Sequence, residues 1–266
     1  MASSTPQSSD PDPTDPNNCG VLGYDAILKE MDARRIIIYP FKKHNLKSCS
    51  YDVTLGECYY EEQSPNTSES NLARNSTIIF NPYSKTDVHK VWGPVRMAQH
   101  ARDLKKIFGG LDEIGDDEKI ILLGPGKTIL GHTVEFIGGR GNITAMMKAR
   151  SSYGRSFIEV CKCAGWGDVG YYNRWTMEIT NNSKHYTIPL ITGRRLAQIV
   201  FQRVEGYGAN QSIDNTKYTS AVHGSKYQIK DPLPAEFLYD DAVVAKLETL
   251  WEPSQMLPKL YTEKSY

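Results

Sequence analysis

The most informative part of the sequence lies between residues 149 and 181, where three short motifs follow one another. The first reads Ala149-Arg-Ser-Ser-Tyr-Gly-Arg155, the second Cys163-Ala-Gly-Trp-Gly-Asp-Val-Gly-Tyr171 and the third Trp175-Thr-Met-Glu-Ile-Thr-Asn181. β-Branched and aromatic runs alternate here with glycines and polar residues, which is typical of short strands joined by turns. The same stretch concentrates the charged, hydroxyl and aromatic side chains from which a binding site is built.

The first motif brings two guanidinium groups, of Arg150 and Arg155, close to the hydroxyls of Ser151 and Ser152. Guanidinium forks and hydroxyl groups suit phosphate oxygens, so the motif is a candidate cradle for an anion. A solvated surface turn carries the same residue types, and its charges then contribute little. The residues alone leave both interpretations open.

The third motif contains a single carboxylate, Glu178, between the apolar residues Met177 and Ile179. If the side chain is enclosed, its pKa rises and it becomes suited to general acid and base catalysis. If the side chain faces solvent, it is an ordinary surface residue of a strand, and this is the commoner situation for a glutamate.

Three other patterns do not indicate a site. In Gly124-Pro-Gly-Lys-Thr128 the glycine that a phosphate-binding P-loop requires is replaced by Ile121, so we predict a Pro-Gly turn that leads into a strand. Cys161 and Cys163 would face opposite sides of a strand, and no second ligand pair follows. The zinc-deaminase signature, His-x-Glu with Pro-Cys-x-x-Cys, is absent.

Outward from these motifs, short strand-like runs extend from residue 50 to about residue 201, which favours an all-β barrel or a distorted sandwich. Apolar spacing predicts an amphipathic helix over Tyr24–Arg35, followed by a strand at Ile36–Tyr39, and a second helix over Val95–Phe108. The remaining predicted strands are Tyr51–Leu55, Thr77–Phe80, Lys119–Leu123, Thr128–Phe136, Ile143–Lys148, Thr176–Thr180 and Gln198–Gln202.

The ends of the chain differ from its middle. Residues 1–19 lack aromatic and β-branched aliphatic side chains, so we predict a disordered tail without a secretory signal. Residues 20–230 form the predicted domain, and residues 231–266 form a C-terminal extension in which we predict a helix at Asp240–Leu250. Five cysteines at irregular spacing favour reduced thiols in an intracellular, cytoplasmic protein, with a nuclear one also open.

The charge balance and the lengths of the apolar runs exclude two classes of protein. Lys and Arg total 31, as do Asp and Glu, so the formal net charge is zero. This argues against a protein whose main partner is a nucleic-acid polymer or an anionic membrane. Apolar runs such as Ile120–Leu123 have strand length and fall far short of a membrane span.

Together, Arg150-Ser-Ser-x-x-Arg155, the loop Ala164–Tyr171 and the strand Thr176–Asn181 resemble the dCTP deaminase branch of the trimeric dUTPase superfamily. The likeness covers about residues 20–228 and includes Gly20–Ile27, Ile36–Phe41, Ser50–Gly56, Arg195–Phe201 and Lys217-Tyr218. The resemblance implies a mainly β fold, a distorted β-barrel of the dUTPase-like β-clip type with a few peripheral helices. It also implies a homotrimer with active sites between subunits.

The activity that the resemblance implies is hydrolytic deamination of dCTP to dUTP and ammonia, without a metal held by protein side chains. Glu178 would be the general acid and base, and Ser151 and Arg155 would hold the attacking water. The other implied contacts are all to the nucleotide: Lys162, Cys163 and Ala164 at the base edge, Asp168 and Tyr171 at the sugar, and Arg150, Ser152, Gln198, Lys217 and Tyr218 at the triphosphate. The triphosphate would carry Mg²⁺.

Two alternatives accompany this prediction. A bifunctional enzyme would also cleave the triphosphate and give dUMP and pyrophosphate, and the loop around Asp168 occurs in both kinds. A non-catalytic structural or nucleotide-binding trimer on the same fold is suggested by the altered C-terminal lid, Lys217-Tyr-Thr-Ser-Ala-Val-His-Gly224. In it Ala221 replaces the usual glutamine and Gly224 comes one residue late. The expected partners are dCTP or dUTP and further copies of this chain.

Overall fold

The computed structural model describes residues 20–65 and 78–205, and most of these residues lie in short strands or their connecting turns. The strands are β1 Gly20–Val21, β2 Ile36–Tyr39, β3 Tyr51–Thr54, β4 Cys58–Glu61, β5 Arg96–Met97, β6 Gln99–His100, β7 Lys119–Leu123, β8 Thr128–Gly139, β9 Ile143–Ala149, β10 Ile158–Val160, β11 Trp166–Gly167, β12 Tyr172–Asn181, β13 Ile188–Ile191 and β14 Arg195–Arg203. The α-helices are α1 Tyr24–Asp32, α2 Lys85–Trp92, α3 Ala101–Leu104 and α4 Ser151–Arg155, and a 3₁₀ turn spans Lys43–Asn45.

The strands pair antiparallel in three sheets within the described residues. The first sheet has the order β1-β14-β9-β11, with β3 also paired to β14. The second has the order β10-β12-β8-β4-β5, with β2 also paired to β8, and the third joins β13, β7 and β6. The predicted mainly β fold with a few helices is confirmed, although the strands form separate sheets and not one closed ring.

Alternation along the long strands separates the core from the opposite face. In β14 the side chains of Ala197, Ile199 and Phe201 are fully buried, whereas Gln198 and Val200 between them are half-buried. Because successive side chains of a strand point to opposite faces, every second residue is left available for a site. The sequence of β14 therefore produces an apolar inner face and a partly polar outer face.

Helix α1 closes one side of the core by burying Ile27 and Met31. It begins at Gly23 without a side-chain cap and ends at Asp32, three residues before the predicted end. Arg34 has a positive φ of 59°, a left-handed conformation that an α-helix does not contain, so the chain leaves the helix and enters β2. The predicted strand over Ile36–Tyr39 agrees with β2 residue for residue.

The predicted helix over Val95–Phe108 is wrong for most of its length. Only Ala101–Leu104 is helical, because the preceding backbone pairs with strands on both sides. Met97 pairs with Cys58 of β4, and Gln99 pairs with Ile120 of β7. Met97, which helical spacing would place on one face with Ala101, Leu104 and Ile107, is 52% exposed. Hydrogen bonding of this segment to the edge strands β4 and β7 took precedence over the helix that the apolar spacing predicts.

Two smaller predictions have clear outcomes. The Pro-Gly turn is confirmed: Lys127 N–H donates to the Gly124 carbonyl at 3.2 Å, Gly126 has a φ of +70°, and β8 starts at Thr128. The predicted strand at Thr77–Phe80 is wrong over its described residues 78–80, which form no strand. The tail at residues 1–19, the lid with Lys217 and Tyr218, and the helix at Asp240–Leu250 lie outside the described residues.

The helices that the structure describes are all too short to span a membrane.

Candidate active site

The motif Arg150-Ser-Ser-x-x-Arg155 directly follows β9: Arg150 is the N-cap residue, and Ser151–Arg155 form the short helix α4. The Arg150 carbonyl accepts hydrogen bonds from the backbone N–H groups of Tyr153 and Gly154 at 3.0 and 3.1 Å, which starts the helical turn. The side chains of Ser151, Ser152 and Arg155 are all exposed. Arg155 forms no hydrogen bond or salt bridge within the described part of the chain, so its guanidinium is available to a ligand.

Glu178 lies in the middle of β12, between Met177 and Ile179, which are fully buried. Its side chain is on the opposite face of the strand and is half-buried, so the structure lies between the two orientations that the sequence left open. Across the sheet its neighbour is Leu130, which is 6% exposed. Among residues 20–65 and 78–205, no side chain forms a hydrogen bond or salt bridge with the Glu178 carboxylate.

The segment Cys161–Ala164 is held directly beside Glu178. Cys161 N–H donates to the Glu178 carbonyl at 2.9 Å, and Ala164 N–H donates to the Cys161 carbonyl at 2.6 Å. Cys161 and Lys162 have positive φ angles of 61° and 41°, an uncommon conformation for side-chain-bearing residues that is concentrated at functional sites. The structure therefore brings the exposed Lys162, Cys163 and Ala164 next to the candidate acid.

The Cys161 thiol is buried close enough to the Glu178 carboxylate to be affected by its charge. Burial raises the pKa of this thiol to about 12, and the negative charge of Glu178 contributes to the rise. The Cys161 side chain is 2% exposed and lies 3.1 Å, sulfur to sulfur, from Met147, whereas Cys163 is exposed. The prediction that Cys161 and Cys163 alternate along a strand is wrong, because both lie in the turn that follows β10, where one is buried and the other exposed.

The glycine-rich loop approaches its neighbours closely. A Cβ at Gly165 would lie 2.3 Å from the Met147 carbonyl oxygen, and one at Gly167 would lie 2.4 Å from the Trp175 ring. Larger residues would force the loop away from the sheet. Beyond the glycines, Asp168 is exposed and the Tyr171 ring meets Trp175 edge to face at 5.3 Å between ring centroids.

A second polar group of the site lies on the outer face of the first sheet. Gln198 of β14 is directly opposite Lys148 of β9 on one side and Asp52 of β3 on the other. Asp52 is 2% exposed, and its carboxylate lies 3.2 Å from an Arg195 nitrogen and 3.6 Å from Arg150 Nε. The Asp52 carboxylate thus links Arg150 to Arg195, and Gln198 lies beside Asp52 in the sheet.

Asp52 and Arg195 were not among the predicted site residues, although both lie in segments that carry the family resemblance. A charged residue inside the apolar run Tyr51–Leu55 was the available signal. No described hydrogen bond or salt bridge joins Ser151 or Arg155 to Glu178. The structure therefore contains two partial groups, one around Glu178 and one around Arg150, while the predicted ligands Lys217 and Tyr218 lie outside the described residues.

Metal ligation by the protein was considered separately. Within the described ranges, no group of three or more His, Cys, Asp or Glu side chains could hold a metal ion.

Comparison with known proteins gives consistent matches. A family model described as dCTP deaminase-like matches residues 21–204. The dCTP deaminase, dUMP-forming, of Methanococcus aeolicus is 29% identical over 229 residues, which cover 84% of this chain and 100% of that protein. A protein of the same name from Leptospira biflexa is 34% identical over 124 residues, 47% of this chain and 63% of that one. Among solved structures, the 2′-deoxycytidine 5′-triphosphate deaminase of Agrobacterium tumefaciens has a TM-score of 0.46 at 16% identity, covering 70% of this chain and 49% of that chain.

The residues matched by the family model make up more than half of the chain and include all three motifs between residues 149 and 181. On this ground the chain belongs to the dCTP deaminase-like family.

Proposed function

We propose that this protein deaminates dCTP and also cleaves the triphosphate, so that the final products are ammonia, pyrophosphate and dUMP. The observation that carries the deamination step is the half-buried Glu178, whose carboxylate has no hydrogen bond or salt bridge among the described residues, beside the strained segment Cys161–Ala164. The relatives named dUMP-forming support the bifunctional reaction over dUTP formation alone, which the sequence had ranked first.

In the first step Glu178 accepts a proton from water, whose oxygen attacks C4 of the cytosine ring. The carboxyl group then passes protons to the ring nitrogen and to the departing amine, so that dCTP and water become dUTP and ammonia. The exposed backbone of Lys162, Cys163 and Ala164 would contact the base edge. The bound base would cover the Glu178 side chain, which is only half-buried without a ligand.

Ser151 and Arg155 supply the second requirement of this step, which is stabilisation of the charge that develops as water attacks. A hydroxyl and a guanidinium are suited to this because they donate hydrogen bonds without taking up the transferred proton. Both side chains are exposed, and Arg155 has no competing partner in the described residues. They are therefore available to a substrate that approaches α4.

The second step is attack of water on the α-phosphate, which releases pyrophosphate. In this proposal Asp168 binds the deoxyribose 3′-hydroxyl and helps to orient the attacking water. Tyr171 packs near the sugar. The groups that would hold the triphosphate are Arg150, Ser152, Gln198, Lys217 and Tyr218. Mg²⁺ bound to the phosphate oxygens would neutralise part of their charge.

We also propose that the working form is a homotrimer in which each site combines two subunits. Support comes from the group around Glu178, because neither the Glu178 carboxylate nor the Arg155 guanidinium has a hydrogen-bond or salt-bridge partner among the described residues, so a second subunit could supply one. A partly exposed apolar row lies on the first sheet, where the half-buried Met146 is directly opposite the half-buried Val200 on one side and the exposed Trp166 on the other. Trp166 is 55% exposed, which is unusual for so large an apolar side chain unless another surface covers it.

The decisive experiment is incubation of the full chain with dCTP and Mg²⁺ while ammonia, dUTP, dUMP and pyrophosphate are measured separately. We expect ammonia, dUMP and pyrophosphate in equal amounts, with little free dUTP. Ammonia with accumulating dUTP would contradict the bifunctional proposal, and no ammonia at all would favour the non-catalytic alternative. The native mass should be close to three times the chain mass of 29.9 kDa.

A further inference from the structure

The Trp175 side chain extends from the second sheet to the glycine-rich loop beside the first. Trp175 belongs to β12, the strand that also carries Glu178, and is only 5% exposed. A Cβ built at Gly167 of β11 would lie 2.4 and 2.6 Å from two carbons of its ring, and the same ring meets Tyr171 edge to face. One buried ring therefore contacts the loop on both sides of Asp168.

Two hydrogen bonds fix the orientation of Trp175. Its ring Nε1–H donates to the Ile137 carbonyl at 2.8 Å, and its backbone N–H donates to the Thr133 hydroxyl at 2.9 Å. The pairing of β12 with β8 is irregular at this point, and residues 133–135 of β8 all lie opposite this one residue of β12. Irregular pairing redirects side chains and is common beside active sites, so the strand holds this ring in one defined place.

The loop that contacts Trp175 is anchored on both sides of the contact. The Gly165 carbonyl accepts a hydrogen bond from β9 at 2.7 Å, and the Gly170 N–H donates to the last residue of β8 at 2.8 Å. Between these two anchors, the Trp175 ring limits how closely Gly167 approaches the sheet. A displacement of Gly167 would therefore be taken up within the short segment that contains the exposed Asp168.

The backbone conformation at position 167 does not itself require glycine. The φ angle of Gly167 lies outside the left-handed range, so a residue with a side chain is compatible with it. Apart from the Trp175 ring, the nearest atom to a Cβ at this position is the Ala145 carbonyl oxygen, at 3.3 Å, which a small shift would accommodate. The Trp175 ring is therefore the reason that only glycine fits here.

We propose that Trp175 is a positioning residue, which holds the loop of Asp168 and Tyr171 at a fixed distance from the strand that carries Glu178. The inference rests on the proposed function, in which this loop contacts the sugar and Glu178 acts on the base. Trp175 is too enclosed to contact the substrate, and it acts through Gly167 and through the Tyr171 ring. A displaced loop should impair sugar binding and water attack at the α-phosphate more than proton transfer at C4.

A double-mutant cycle of Gly167→Ala and Trp175→Phe in the full chain tests this proposal. Phenylalanine lacks the two outer ring carbons that a Cβ at position 167 would meet. We expect Gly167→Ala alone to raise KM for dCTP by about tenfold or more, and the same change in the Trp175→Phe background to alter KM by less than about threefold. The matched control is Gly109→Ala, where a Cβ would meet nothing within 4 Å and KM should stay unchanged.

The product ratio separates positioning from a general loss of structure. In Gly167→Ala at saturating dCTP, pyrophosphate release should fall by about tenfold or more and ammonia release by less than about threefold, so that dUTP accumulates. Partial unfolding would lower both rates in proportion. Thr133→Val provides a second variant if Gly167→Ala does not fold: it removes the acceptor of the Trp175 N–H without altering the loop, and it should shift the product ratio in the same direction.

The outcomes distinguish this inference from the proposed function. Equal effects of Gly167→Ala in both backgrounds would overturn the inference, as would an unchanged product ratio in the folded variants. If the wild type releases no ammonia, the proposed function fails, and the same cycle is measured as dCTP affinity by calorimetric titration. A loss of affinity in Gly167→Ala that Trp175→Phe relieves then supports the positioning role, whereas additive effects, or no binding of dCTP to the wild type, overturn it.

Discussion

The charged groups around Asp52 and those around Glu178 are organised in opposite ways. Asp52 is 2% exposed and is contacted by Arg195 and Arg150, which come from other strands of the same chain. Glu178 is half-buried, and its carboxylate, like the Arg155 guanidinium, has no hydrogen bond or salt bridge within the described residues. Partners inside the chain satisfy the first group, whereas the second group is available for an external partner.

This difference separates residues that hold the fold from residues that act on a ligand. A carboxylate as buried as Asp52 is tolerated because cations compensate for its lost hydration. An unpaired carboxylate that is only half-buried keeps enough water to be stable, and it loses that water when a ligand arrives. Replacing members of the first group should therefore affect folding, and replacing members of the second should affect turnover.

The largest expected effect is that of Glu178→Gln on turnover. Glutamine keeps the shape of the side chain but cannot take up a proton, so ammonia release from dCTP should fall by about 10²–10⁴-fold. Nucleotide affinity and melting temperature should stay close to the wild-type values. The control is Glu159→Gln on neighbouring β10, a half-buried carboxylate that we expect to be dispensable. If Glu178→Gln released ammonia at the wild-type rate, Glu178 would not be the catalytic acid and base, and the proposed contrast with Asp52 would be wrong.

Arg155→Ala should have the next largest effect. Loss of a donor that stabilises developing charge costs about 100-fold or more in turnover. The unfolding free energy should hardly change, because the guanidinium is exposed and unpaired in the described residues. Steady-state kinetics and urea unfolding on the same preparations measure both quantities. Arg102→Ala on α3 removes another exposed arginine, and a similar loss of turnover in that variant would contradict a specific role for Arg155.

Asp52→Asn should show the reverse pattern, with a loss of stability as its main effect. Removing the carboxylate leaves Arg150 and Arg195 without their shared partner, which should lower the unfolding free energy by about 1–3 kcal/mol. Urea unfolding at a fixed protein concentration measures this change. The exposed Asp112→Asn should stay within about 0.5 kcal/mol of the wild type. An equally small effect of Asp52→Asn would mean that its salt bridges do not stabilise the fold.

The smallest effect concerns the pH dependence of stability. Burial raises the pKa of Glu135 above its usual value of 4.5, so the folded state holds this proton more tightly than the unfolded state does. The contribution of Glu135 to stability therefore falls as pH rises from about 4.5 through the raised pKa, and is constant above it.

Glu135→Gln removes that titration. The difference in unfolding free energy between Glu135→Gln and the wild type should shift in favour of the variant across the same pH range. Thr54→Val, which removes the hydroxyl donor to the carboxylate, should make the pH dependence of the otherwise wild-type protein steeper. Unfolding titrations at a series of pH values test both statements. A difference that does not vary with pH would show that Glu135 titrates alike in both states.

Much of the fold could be predicted because local signals and tertiary structure agree. The β-branched runs Ile36–Tyr39 and Lys119–Leu123 became strands with the predicted bounds. The helix predicted over Val95–Phe108 was wrong because strand pairing, which involves residues such as Cys58 far along the chain, outweighed helical spacing. The loop beside Glu178 was identified from its motif, but its hydrogen bond to the strand could not be predicted from local sequence.

By itself, the sequence determined the family, the mainly β class and the set of candidate site residues, because motif order and alternating hydrophobicity are local properties of the chain. Tertiary structure decided which charges are paired: Arg195 lies beside Asp52 although 143 residues separate them in the sequence. Pairing depends on distances between segments remote in sequence, and only the packing of the sheets sets those distances.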